Sequence, residues 1–296
     1  MTLQKLDYRI DVDTNNVAFE IYINGFCVIR CDEDGPIYCL IGVGEYLKPT
    51  NNVLRLVMYP IEGATEFVDD SCYCKVTLAA RDRFETEQLS AFAGIHYFPT
   101  RDHQRNASLT AIKQLPLINQ HLGKPRNATD IVFNDDSNHY IAVQGFDINS
   151  EYKVWNWANS LELSRQNGDS SPLPYKLRTA LFDSYEQLWN AFNKKDLDWL
   201  EKLHEEFSVE SAEASGISPN DYFESLSFSS FFNDPELSLG TLSFSDLCYS
   251  YSLDKKLVTL TNAGGLIRFI RNGDETDYIS YVPHFRLVDE KFIISR

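Results

Sequence analysis

Along much of the first half of the chain, apolar and polar positions alternate with a period of two. Residues 6–12 run Leu6-Asp7-Tyr8-Arg9-Ile10-Asp11-Val12, and Val17, Phe19 and Ile21 share one side of the next stretch. Such alternation predicts half-buried strands. Asn24-Gly25 separates that stretch from Phe26-Cys27-Val28-Ile29-Arg30-Cys31. An Asn-Gly pair between alternating runs predicts a hairpin, because both residues tolerate the positive φ of a type I′ turn. The run 32–36, acidic and ending in Gly-Pro, closes the strand. More strands are expected at 37–43, 53–59, 72–78, 130–133, 139–143 and 152–157. In the last of these Trp155 and Trp157 fall on one face, where capping a sandwich core is expected over a ligand platform. Residues 85–128 have no clean period and carry Pro99, Pro116 and Pro125, so long connections with a helical turn or two are expected there.

The period changes after residue 174. Leu177, Leu181, Tyr185, Leu188 and Phe192 step by four or three and form one apolar stripe, the mark of a helix. Residues 193–195 break it. Asp196 is placed to cap a second helix, in which Leu200, Leu203 and Phe207 continue the stripe. Ser218-Pro219-Asn220-Asp221 announces a third, with Ser at the cap, Pro at the first turn and an acid three residues after the Ser. Strands follow at 237–244 and 247–252. Then 257–261 is expected to meet 266–271 across 262–265, 271 to meet 278–282 across Asn272-Gly273, and 284–288 to meet 292–295 across Asp289-Glu290-Lys291. The result is an antiparallel meander. Between the halves, 164–174 reads SRQNGDSSPLP, the densest run of Ser, Gly, Asn and Pro. It divides the chain into a β-sandwich domain over 1–164, a linker over 165–174 and an α+β domain over 175–296.

Two resemblances sharpen this outline. The order of strand, Asn24-Gly25 turn, strand, then Leu47-Lys48-Pro49 with Asn52 resembles jelly-roll β-sandwiches that accompany glycosidases and other modular proteins, in which these are scaffold features. The helices followed by a meander resemble the nuclear-transport-factor-2-like fold. Ala191, Asp196, Leu197, Asp198 and Leu200 match its opening, and residues 285–294 its closing hairpin. That likeness implies helices packed on a curved sheet around a cone, where enzymes of the fold place a general base and a hydrogen-bond donor. Here the pocket candidates are Tyr249, Tyr251, Arg268, Tyr278 and His284, with His204 and Asp246 behind them. None stands in a diagnostic spacing, and His204 is expected to face solvent or the sheet edge. Members of the fold include isomerases, dehydratases, ligand binders and interaction modules, so fold alone assigns no activity.

Composition excludes more than it assigns. The formal charge of −16 disfavours nucleic acid and anionic membrane as partners. No run is apolar enough to span a membrane and no signal peptide opens the chain, so a cytoplasmic location with six reduced cysteines is expected. Cys27/Cys31 and Cys72/Cys74 lack zinc-knuckle context, and no nucleotide, nucleophile-elbow or zincin motif occurs. Neither cofactor, metal nor catalytic residue is expected. The charge is concentrated: from Asp183 to Glu236, thirteen acids face three lysines. Asp198, Glu201, Glu205, Glu206, Glu210 and Glu213 make the expected binding face, with Glu201 and Glu205 four apart and repelling. A tolerated repulsive face is what a basic protein partner would explain. The expectation is a non-enzymatic binding protein, in concrete form a bacterial immunity protein neutralising a basic toxin effector. The alternatives are a ligand site or acid/base enzyme in the cone, or carbohydrate binding by the sandwich.

Overall fold

The computed structural model describes residues 6–33, 35–61, 67, 71–83, 89–97, 123–126, 130–134, 139–148, 153–163, 173–262 and 265–296. The expected linker over 165–174 therefore lies outside the described residues except at its last two positions. The chain forms two compact units. One comprises Met1–Val154 with Ala214–Gly216, the other Trp155–Glu213 with Ile217–Arg296.

In the first unit the strands are β1 (Leu6–Asn15), β2 (Ala18–Ile23), β3 (Phe26–Cys31), β4 (Pro36–Gly42), β5 (Asn52–Tyr59), β6 (Tyr73–Asp82), β7 (Ser90–Tyr97), β8 (Gly123–Pro125), β9 (Asp130–Asn134) and β10 (His139–Ile148). They make two antiparallel sheets, ordered β4-β1-β6-β7 and β3-β2-β5-β10-β8, with β9 also on β10. Alternation puts Tyr8, Ile10 and Val12 of β1 and Phe19, Ile21 and Ile23 of β2 inside. The two inner faces meet through Phe92–Phe146 and Tyr97–Tyr140, at ring distances of 6.2 and 5.2 Å. β7 had no clean period because a bulge at Leu78/Ala79 shifts its register against β6. Gly94 lies on that strand where a Cβ would meet the Val76 carbonyl oxygen at 2.3 Å.

Asn24 and Gly25 take φ of 53° and 90°, as the hairpin requires. Asn24 also does more than turn. Its amide donates to the Tyr46 carbonyl at 2.7 Å and to Asn52 Oδ1 at 2.9 Å, while its own oxygen accepts from Val53 N. Asn52 Oδ1 accepts from Lys48 N. The buried pair thus ties the turn to the Leu47–Asn52 segment, which accounts for both sequence elements as scaffold.

The second unit opens earlier than the expected boundary. Residues 153–155 are irregular and Asn156–Asn159 is a 3-10 turn, so the strand expected over 152–157 does not form. Trp155 and Trp157 are fully buried, and the Arg296 guanidinium lies 6.0 and 5.8 Å from their rings. Among the described residues five α-helices follow: α1 (Tyr175–Asn193), α2 (Leu197–Leu203), α3 (Glu205–Ser215), α4 (Pro219–Ser225) and α5 (Phe228–Asn233). The stripe of α1 is buried as expected, and Lys195 at φ 56° turns the chain into α2. Asp196 caps α2 by accepting from Trp199 N at 3.0 Å. The expected capping box at Ser218 and Asp221 is present. The second helix, however, breaks at His204, whose ring binds the Leu200 carbonyl one turn back.

The last strands are β11 (Leu237–Leu239), β12 (Cys248–Tyr251), β13 (Leu257–Thr261), β14 (Ile267–Arg271), β15 (Asp274–Tyr281), β16 (Phe285–Val288) and β17 (Lys291–Ile294). They form two antiparallel sheets, β11-β14-β15 and β12-β13-β16-β17, rather than one meander. The hairpins at Asn272-Gly273 and Asp289-Glu290 form, both with positive φ. The expected pairing of β13 with β14 does not. Both edges of β13 are taken, by β12 and by β16, and near its end the Tyr185 hydroxyl of α1 accepts from Leu260 N at 2.8 Å and lies 3.1 Å from Thr259 Oγ1.

Candidate functional site

The acidic segment divides by direction. Glu206, Glu210 and Glu213 turn inward. Glu206 makes a bidentate pair with Arg286 and accepts from Ser295 and Asn156. Glu210 accepts from Arg296 at 2.9 Å and from Asn156 N at 2.7 Å. Glu213 is buried. Glu206 and Glu210 thus balance cations and polar donors inside the unit. Asp198, Glu201 and Glu205 remain exposed, and no hydrogen bond or ion pair among the described residues engages their side chains. Because the helix breaks at His204, Glu201 and Glu205 belong to different helices. Asp198 and Glu205 lie in first turns, where the helix dipole favours a carboxylate.

Two cavities open on this surface. One, of about 260 Å³, is lined by Asp198, Glu201, Lys202, Glu205, Ser208, Val209 and Pro219. The other, of about 490 Å³, runs between α1 and β17, with Asp183, Gln187, Lys202, Glu205 and Lys291 among its polar lining. Around them stand large apolar side chains that the stripe does not use: Trp199 is 39% exposed and Val209 38%. Lys202 lays its ammonium over the Trp199 ring at 4.9 Å. Neither Trp199, Lys202, Val209 nor Ser208 stood out in the sequence. The signal that could have found Trp199 and Val209 is their position off the buried stripe of Leu200, Leu203 and Phe207.

The interior of the unit is closed by aromatic packing. Phe192 meets Phe228, Phe269 and Tyr281 at ring distances of 5.0, 5.3 and 5.8 Å. His204 lies inside rather than facing solvent, because its surroundings satisfy both ring nitrogens. Nδ1 donates to the Leu200 carbonyl at 2.7 Å, which leaves Nε2 to accept from the Tyr281 hydroxyl at 2.6 Å. Burial pulls its pKa down to about 4, so the ring is neutral near pH 7. It is a core histidine.

The pocket candidates separate. Arg268 and Tyr278 come together on the three-stranded sheet, with the guanidinium 5.7 Å from the ring and 3.7 Å from Glu275. Tyr249 and Tyr251 sit on β12 of the other sheet, packed against the core. His284 precedes β16, exchanges backbone bonds with the segment 295–296, and is held down to about 4 by burial and by Arg296. Neither cavity is lined by any of these five. Asp246 is exposed in a turn at φ 53°. No group of acids, histidines or cysteines among the described residues is placed to hold a metal ion. No helix among them is long and apolar enough to cross a membrane.

No family model, curated protein or solved structure matches the chain.

Proposed function

We propose that this chain is a non-enzymatic binding protein whose α2–α3 surface meets a basic protein partner. The observation that carries the reading is the outward set of Asp198, Glu201 and Glu205, unpaired among the described residues, beside an exposed Trp199. Carboxylates without internal partners steer a cationic surface and fix its register, and a half-exposed tryptophan next to them is the residue type that anchors interfaces. The internal pairing of Glu206 and Glu210 and the burial of Glu213 narrow the face to three acids. Inhibition of a basic toxin effector by a cytoplasmic immunity protein is the concrete form of this reading. In the same reading the first unit is a jelly-roll scaffold and the second a nuclear-transport-factor-2-like module with a filled cone. The filled interior weighs against a cone enzyme, and the burial of Trp155 and Trp157 removes the aromatic platform on which carbohydrate binding would have rested.

The test is affinity capture from the native host at low and at high salt, followed by titration of the purified captured protein. A partner of high isoelectric point, released by salt and losing its own activity in a stoichiometric complex, supports the proposal. A captured protein that is acidic, or binds independently of salt, or keeps full activity in the complex, overturns it.

A further inference from the structure

β4 stands at the edge of its sheet, bonded to β1 on one side only. Val43 N donates to the Tyr8 carbonyl and Asn16 N to the Gly35 carbonyl, which fixes the phase of that pairing. Bonding residues alternate in an antiparallel ladder, so Ile37, Cys39 and Ile41 turn their backbone groups to β1. The amides of Tyr38, Leu40 and Gly42 point the other way, as do the carbonyls of Pro36, Tyr38, Leu40 and Gly42. No hydrogen bond among the described residues engages them. None of the strand's residues is buried, and Tyr38 is 72% exposed.

Such an edge is usually blunted by a charge, a bulge or a cover. The other described edge strands of six residues or more are blunted in this way. β3 carries Arg30 and a register shift against β2, β7 has the bulge against β6, and β15 carries Asp274, Glu275 and Asp277. β4 reads Pro-Ile-Tyr-Cys-Leu-Ile-Gly, without a charge or a register shift, and Pro36 closes only one end. The same sequence is nearly its own mirror about Cys39. An antiparallel copy centred there sets Ile37 against Ile41, Tyr38 against Leu40 and Cys39 against itself, so these cross-strand pairs are all apolar. The free amides of Tyr38 and Leu40 then face the free carbonyls of Leu40 and Tyr38 in the copy, and Gly42 N faces the Pro36 carbonyl. The acids beside Leu40 and Tyr38, Asp11 and Asp13, stand one strand further in on β1. Those of the two copies are thus three strand spacings apart, about 14 Å, beyond the Debye length of about 8 Å.

We propose that β4 pairs with β4 of a second copy of this chain, antiparallel and two-fold about Cys39, joining two four-stranded sheets edge to edge. The surface lies in the first unit and does not depend on the α2–α3 reading.

Sedimentation velocity of the full chain at low and at high salt tests this. One strand pair is a small interface, so the shift from monomer to dimer is expected between about 10 and 500 μM. Association should tighten with salt, because both copies carry a charge of −16. That response is opposite in sign to the one expected of the acidic face with a basic partner, so failure of either leaves the other standing. Hydrogen exchange at the Tyr38 and Leu40 amides should slow as the dimer forms. Tyr38→Lys, at a position too exposed to challenge folding, should leave a monomer throughout. Diamide, which takes two electrons and two protons from a pair of thiols, should link Cys39 to Cys39. Cross-strand partners that are not hydrogen-bonded lie about 4.5 Å apart at Cα, within reach of a disulfide. A chain that is monomeric at every concentration and salt overturns the self-pairing and leaves the edge to a strand of another protein. A dimer that survives Tyr38→Lys overturns β4 as its interface. A dimer in which diamide links other cysteines, or none, overturns the two-fold at Cys39.

Discussion

The Arg296 guanidinium, which also lies over the rings of Trp155 and Trp157, meets the Glu210 carboxylate at 2.9 Å with side chains only 1% and 4% exposed. Breaking such a pair from one side leaves a charge buried without its counter-ion, which costs about 3–5 kcal/mol. Glu210→Ala should therefore lower the unfolding free energy by about that amount, read from urea denaturation. Glu201→Ala, on the exposed face, should stay within about 0.5 kcal/mol of the parent. Equal effects from the two would mean that Glu210 is not the buried partner described.

Tyr185 gives a second, more local expectation. Its hydroxyl takes the Leu260 amide and lies beside Thr259 Oγ1 in the core, and burial pushes its pKa up to about 12. Tyr185→Phe keeps the ring and deletes the oxygen, leaving a buried donor unsatisfied at a cost of about 1–3 kcal/mol. Hydrogen exchange at the Leu260 amide should accelerate with it. An unchanged exchange rate would assign that amide another acceptor.

These two contacts also show what the sequence could and could not carry. The turns at Asn24-Gly25 and Asn272-Gly273, the caps at Asp196 and Ser218 and the stripe of α1 are legible because each signal sits within a few residues of its effect. The neighbour of β13 is not, because β16, which follows only after β14 and β15, takes its edge. The inward turn of Glu206 and Glu210 is hidden for the same reason, their cations standing 80 and 86 residues further along. Acids read in isolation look like surface. Only Asp198, Glu201 and Glu205 of the six keep that reading.

The scaffold reading of the first unit has its own test. Asn24 holds the Tyr46 carbonyl, Asn52 and Val53 N from a left-handed position at φ 53°. Asn24→Ala would leave several buried polar groups without partners and place a Cβ-bearing residue of poor αL tolerance in the turn. The expected loss is about 2–4 kcal/mol. Asn24→Gly restores the backbone freedom without the side-chain bonds, so it should recover part of the loss and no more. Full recovery by glycine would reduce Asn24 to a turn residue.

His204 makes stability depend on pH, and the sign follows from its surroundings. Burial lowers its folded-state pKa to about 4 from 6.5, while its hydrogen bond to the Leu200 carbonyl opposes the shift. Between those two values the unfolded chain binds the proton and the folded chain does not, so unfolding gains as pH falls. The neutral ring's contribution is complete above pH 6.5 and is lost progressively down to about pH 4. At 1.36 kcal/mol per unit this amounts to roughly 3 kcal/mol. The sequence-expected His284, lowered in the same direction by burial and by Arg296, adds to the slope over the same window. His204→Gln, which can still accept from Tyr281 but does not titrate, should be less stable than the parent at pH 7 yet lose less between pH 6.5 and pH 4.5. Denaturant midpoints at both pH values check this. A variant whose pH slope equals the parent's would place the acid sensitivity on groups other than the His204–Tyr281 pair.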